Sequence, residues 1–172
     1  MPHSYFSNKY TSLRNKIDAE SSRLEQLHKS QMVCSKGCDS CCESLTIFPI
    51  EYYTIKEEIK NIKDIPKNRF INRFTKACRF LVNGECAIYQ SRPIICRTQG
   101  LPILYKSMKS DDFELSACKL NFKDVDVSSF NLDNSLYMSP LNTELFLLNK
   151  EFVEENFNTK YKATDRLKLN LV

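Results

Sequence analysis

Four cysteines fall within nine positions of the stretch VCSKGCDSCCESL, at Cys34, Cys38, Cys41 and Cys42, and four more follow at Cys78, Cys86, Cys96 and Cys118. Eight thiols constrain this chain more than any other feature. In an oxidising compartment they would pair as disulfides, whereas in a reducing one they remain thiols and turn to metals or redox chemistry. The opening residues, MPHSYFSNKYTSLRNK, are polar where a secretion signal would be apolar. No later run approaches the roughly 18 apolar residues of a membrane span. The expectation is a cytoplasmic protein whose cysteines serve a metal, with four disulfides as the lesser alternative.

The spacing Cys34-x3-Cys38-x2-Cys41 lets thiolates converge on one ion from a single tight loop, and Gly37 supplies the permissive backbone such a loop needs. A further ligand must come from elsewhere, and Cys78, Cys86 or Cys96 can provide it. The two histidines, His3 and His28, lie outside this spacing, so sulfur dominates. All-thiolate coordination points to Zn²⁺ or an iron–sulfur cluster and away from Mg²⁺ and Ca²⁺. Cys41 and Cys42 are adjacent, and neighbouring side chains diverge in most backbone geometries. The pair therefore reads as serving two metals, or one metal and one free thiol. Eight thiols complete two four-cysteine sites or one [4Fe–4S] cluster with spares, and counting leaves both open. The bland reading, a cysteine as a small buried hydrophobe, applies best to Cys118. Arg92 and Arg97 bracket Cys96, where cations lower a thiol pKa and balance thiolate charge.

Other chemistries are poorly supported. Three glycines, Gly37, Gly84 and Gly100, leave no P-loop or dinucleotide turn. A net charge of +4, spread along the chain, gives no nucleic-acid footprint. No Ser–His–Asp set, zinc-protease helix or assignable carboxylate pair is present. Apolar spacing predicts a helix from Tyr10 to about Gln31 on Leu13, Ile17, Leu24 and Leu27, interrupted at Glu20 and Ser21. Pro49 suits the first turn of a second helix carrying Tyr52, Tyr53, Ile55 and Ile59, closed by Pro66. A third runs over residues 67–78 with Phe70, Ile71, Phe74 and Ala77 on one side.

Asn83-Gly84 between apolar flanks predicts a type I′ hairpin in which Leu81 faces Cys86. On an extended strand Cys78 would then point to the opposite face, which argues against a Cys78–Cys86 disulfide. Ser139-Pro140 reads as a cap opening a C-terminal packing helix over residues 139–158, with Leu141, Leu145, Leu148 and Phe152 inward. Residues 121–138 have no clear pattern. The fold expected is a single α+β domain, mainly α-helical: helices around a cysteine-lined, metal-centred middle with one short β-hairpin.

The run CSKGCDSCC, followed by CRFLVNGECAIYQSRPIICR and the late Cys118, resembles the CxxCxxCC family, also called the YkgJ-type cysteine-cluster family. The resemblance spans about Val33 to Lys119, and each of the eight cysteines has a counterpart. This chain carries one residue more between its first two cysteines, Ser35, Lys36 and Gly37 standing where the family pattern has two positions. The resemblance implies a zinc- or iron-chelating domain with Cys38, Cys41, Cys86 and Cys96 foremost among the eight ligands. Some relatives are described as iron–sulfur oxidoreductases and others resemble flagellin lysine methylases. Three functional classes follow: an iron–sulfur or zinc protein, a lysine N-methylase-like enzyme acting on a protein substrate, or a zinc-stapled module that binds a protein partner. The spacing Cys34-x3-Cys38-x2-Cys41 also occurs in radical S-adenosylmethionine enzymes, but their barrels take roughly 200 residues or more and alternate strand with helix.

Overall fold

In the computed structural model, which describes residues 2–62, 65 and 77–172, the chain opens with the long helix α1 (Pro2–Leu27). It continues through β1 (Thr46–Ile47), α2 (Pro49–Glu58), β2 (Leu81–Val82), β3 (Glu85–Cys86), α3 (Ile94–Arg97), β4 (Ile103–Lys106), β5 (Phe113–Ser116), β6 (Leu136–Tyr137), α4 (Met138–Phe157) and β7 (Leu167–Lys168). The class is α+β and mainly helical, as expected. Strand pairing goes beyond the one hairpin, because β4 pairs antiparallel with β5 and parallel with β6, and β1 pairs antiparallel with β7. Strands of two to four residues are too short to write an alternating pattern into the sequence.

α1 buries Phe6, Tyr10, Leu13, Ile17, Ser21 and Leu24, the three- and four-residue steps that a helix places on one side. It begins well before Tyr10 and stops at Leu27, short of Gln31. Ser21, the apparent interruption, lies in the buried stripe, and Glu20 turns aside to pair with Arg23. Leu27 is exposed and His28 takes the inward place. Across from α1, α4 turns in Leu141, Leu145, Leu148 and Phe152, as predicted. Ser139 is not its cap. Tyr137 holds that position, and Ser139 Oγ, inside the first turn, accepts a bond from the Lys106 N–H at 2.8 Å.

The main core lies between α1, α2 and α4, where Phe6 meets Phe152 edge to face at 5.5 Å. Burying each such side chain stabilises the fold by roughly 1.5–3 kcal/mol. α2 starts at Pro49 as expected and buries Glu51 and Ile55, while Tyr52 and Tyr53 are half-buried. Arg14 ties α1 to α2 through both carboxylate oxygens of Glu58. A second, smaller cluster gathers Ile47, Ile55, Ile59, Phe80, Ile88 and Leu169, with Cys78 and Cys86 packed against it. Cys78 and Cys86 thus border an apolar core.

The helix expected over residues 67–78 lies outside the described residues as far as position 76, as does Pro66. At its end Ala77 is not helical but forms an antiparallel bridge with Glu43. Among the described residues no helix is long and apolar enough to cross a membrane.

Candidate metal centre

The loop that carries the first four cysteines is built from two successive turns. The Cys38 N–H donates to the Ser35 carbonyl at 3.0 Å, with Gly37 at φ +93°, and the Cys42 N–H donates to the Asp39 carbonyl at 2.8 Å. Only a residue tolerant of positive φ fits the first turn, and glycine supplies it. Asn121 clamps the loop's entrance. Its Oδ1 accepts from the Val33 N–H at 2.9 Å, and its Nδ2 donates to Cys34 Sγ at 3.3 Å and to the Gly100 carbonyl at 2.7 Å. Gly100 lies so close to Cys34 that a Cβ there would stand 2.7 Å from Sγ. A cavity of about 380 Å³ beside Gly100 is lined by Cys41 and by Cys118, which follows β5.

The remaining thiols converge by a different route. The Glu43–Ala77 bridge sets Cys42 opposite Cys78, whose N–H donates to the Cys42 carbonyl at 2.9 Å. The chain then turns, with the Leu81 N–H donating to the Cys78 carbonyl at 3.2 Å. That turn overrides the extended geometry assumed for Cys78 and brings it back toward the hairpin. The Asn83-Gly84 turn forms as predicted, with φ of +51° and +77°, and Leu81 faces Cys86. Cys78 and Cys86 remain free thiols on the same apolar cluster. The hairpin tip rests on the first loop through a Lys36–Glu85 ion pair at 2.9 Å and through Gly84, whose added Cβ would touch Gly37 Cα at 3.7 Å. Cys96 comes in on the one-turn helix α3, whose Ile94 is anchored in the main core.

Electrostatics follows this layout. Burial pushes the Cys96 thiol up to about 12, with the neighbouring Cys78, Cys86 and Cys42 adding to the rise and Arg92 opposing it. Burial, then Cys41, Cys86 and Cys78, push Cys42 up to about 11. Cys78 is raised by burial and by Cys86. Cys41 is raised by burial and then by Cys38 and Cys34. Cys41 and Cys42 are close enough to act on each other's ionisation. Of the two cations beside Cys96, Arg92 pulls its pKa down but is outweighed by burial, and Arg97 is engaged elsewhere. Arg97 turns away to Asp18, the Gln90 carbonyl and the Arg92 carbonyl, while Arg92 stacks on the Tyr89 ring at 3.6 Å and donates to the Cys96 carbonyl at 3.4 Å. Burial holds Cys41, Cys42, Cys78 and Cys96 toward the thiol form, which is a poor nucleophile.

Cys34 is exposed and the other seven are partly buried. Cys118 lines the open cavity and is not a core residue. The sulfurs are neighbours without having closed on one another: among the described residues no three Cys, His, Asp or Glu side chains stand at ion-holding distance. Neutral thiols have no force drawing them together, and metal binding supplies one as it displaces their protons. The donor set fits a soft metal. His28 does not join it, because its ring nitrogens meet Gln31 Oε1 at 3.0 Å and the Asn134 carbonyl at 2.7 Å. The foremost four thiols split, Cys38 and Cys41 lying on the first loop and Cys86 and Cys96 with the hairpin and α3. Asn121 and Gly100, which shape the Cys34 end, were missed from sequence. Asn121 sits in the stretch without pattern, and a lone glycine does not announce which thiol it admits.

Residues 33–119 match the model of the CxxCxxCC family, described as a "putative zinc- or iron-chelating domain". No curated protein and no solved structure matches the chain. The match spans half the chain and every cysteine in it, and the protein belongs to the CxxCxxCC family.

Proposed function

As a member of this family, we propose, the protein binds an iron–sulfur cluster or zinc through its clustered thiolates. The observation that carries this reading is the gathering of Cys42, Cys78 and Cys86 from three separate chain segments by the Glu43–Ala77 bridge and the hairpin, with Cys96 beside them on α3. A soft cation or cluster is what such a set of thiols suits, and Arg92, beside Cys96, would offset part of the thiolate charge once they ligate. Zinc there would staple the hairpin and α3 to the first loop, and a cluster would add one-electron chemistry. The compartment is cytoplasmic on this reading, where thiols stay reduced. Any macromolecular partner is a protein and neither a nucleic acid nor a membrane, in keeping with the modest, dispersed positive charge.

Anaerobic purification, metal and sulfide analysis and an absorption spectrum test the proposal, repeated on Cys41→Ser and Cys96→Ser. Brown protein carrying iron and acid-labile sulfide, bleached in the variants, establishes the cluster. Colourless protein with stoichiometric zinc establishes the staple. Wild-type protein without either metal defeats the reading.

A further inference from the structure

Building on the proposed metal binding, we propose that the eight thiols divide into two four-cysteine sets, each holding its own centre: Cys34, Cys38, Cys41 and Cys118 in one, Cys42, Cys78, Cys86 and Cys96 in the other. The two sets meet at the Cys41–Cys42 step.

The backbone makes the division. The bridge at Glu43–Ala77 and the bond from the Cys78 N–H to the Cys42 carbonyl pair Cys42 with Cys78. The turn from Cys78 to Leu81 and the register Leu81–Cys86 carry that pair to the hairpin, where Cys78 and Cys86 share one apolar wall. Cys96 is reached from this side, its sulfur neighbours being Cys78, Cys86 and Cys42.

The other set stands on the opposite side of the loop. Cys41 shares a cavity with Cys118 and Gly100. Gly100 in turn has Cys34 Sγ against it, and the Asn121 side chain bonds both Cys34 Sγ and the Gly100 carbonyl. The Cys118 carbonyl accepts from the Asn121 N–H at 3.1 Å, so one short turn holds Cys118 and the Cys34 clamp together. Cys38 and Cys34 are the thiols acting on Cys41 besides its chain neighbour. The sets meet at the Cys41–Cys42 step of the chain, where Cys41 lines the cavity and Cys42 faces Cys78 across the bridge. Two adjacent cysteines on a tight turn are thus the seam between two centres, and each set has the four thiolates that a tetrahedral ion or a four-iron cluster takes.

The test counts centres. Native mass spectrometry and metal analysis of the anaerobically purified wild-type chain should give two centres per chain, as two zinc ions or as iron and sulfide in matching proportion. Cys38→Ser and Cys118→Ser should each lose one centre, as should Cys78→Ser and Cys96→Ser. Combining two changes within a set should cost no more metal than one, whereas Cys38→Ser with Cys96→Ser should empty the chain. A single centre in the wild type overturns the division while leaving metal binding standing, and so does loss of all metal from one variant of each set when circular dichroism shows them folded. Wild-type protein without metal overturns both. The wild-type count needs no variant to fold.

Discussion

Among the described residues, the main core, a frame built chiefly by α1, α2 and α4, gathers sixteen buried apolar side chains, while the cluster against Cys78 and Cys86 gathers six. The frame is held by long helices with continuous apolar faces. The cysteine region is held by a two-residue hairpin, a single bridge, a one-turn helix and a set of turns. The first kind of structure draws its stability from area removed from water, and the second has little such area to draw on. On the function proposed, metal cross-linking would supply there what burial supplies to the frame.

The largest expected effect follows from that contrast. If zinc holds the thiols as proposed, a chelator takes away a cross-link worth about 10–16 kcal/mol in isolated zinc-finger peptides. Hydrogen exchange should then collapse in residues 33–45 and 77–97 and persist in α1 and α4. Loss of protection throughout both helices would show that the frame also depends on the metal. The reverse experiment is Phe152→Ala, where a ring 1% exposed is lost from the frame. It should cost about 3–5 kcal/mol. Thermal melting should register that loss while metal per folded chain stays unchanged.

The two regions also differ in how well the sequence announced them. The buried faces of α1 and α4 were readable because side chains spaced three and four apart can share one side of a helix, and Ile17, Leu24, Leu141 and Leu148 keep that spacing. The hairpin at Asn83-Gly84 was readable because few dipeptides accept two positive φ angles in succession. The cysteines declared a metal site and the family match agrees, yet nothing in their spacing said that Cys78 turns back to the hairpin. That depends on a β-bridge to Glu43 and a turn at Arg79–Phe80, single hydrogen bonds with no sequence period. Arg97 misled for the same reason. Its partners, Asp18 and two carbonyls, are remote or local in ways that proximity to Cys96 in sequence does not disclose.

Intermediate effects probe the joints. Glu58→Gln should cost about 1.5–3 kcal/mol, because Arg14, whose side chain is only 7% exposed, then loses its charged partner. Equilibrium denaturation measures it, and the metal count should not change. Gly100→Ala should cost about 1–3 kcal/mol through positive φ alone. Its methyl group also displaces Cys34, so loss of metal from the Cys34 set with the Cys42 set intact would separate the two sets once more. Unchanged metal in both would show that Cys34 can shift without leaving its centre.

The last and smallest effect is a slope. Glu51 is fully enclosed and joins the two regions: its Oε1 accepts from Tyr10 Oη and from the Ile94 N–H, both at 3.1 Å, and its Oε2 from the Phe48 N–H at 3.1 Å. Ile94 opens the helix that carries Cys96. Burial raises the carboxyl above its ordinary 4.5, against the pull of the Ile94 and Phe48 N–H groups, Tyr10 and Arg166. The folded chain therefore keeps this proton over a pH range where the unfolded chain has released it. The resulting stability is fully present below the unfolded value near 4.5 and is lost as pH rises through the raised folded value. Each unit of difference is worth about 1.4 kcal/mol. Glu51→Gln cannot titrate, so it should flatten the stability profile just above pH 4.5 relative to wild type, measured by denaturant unfolding at a series of pH values. Parallel profiles would mean that the three donors hold Glu51 ionised against its burial, and that the joint between frame and cysteine region carries a buried charge.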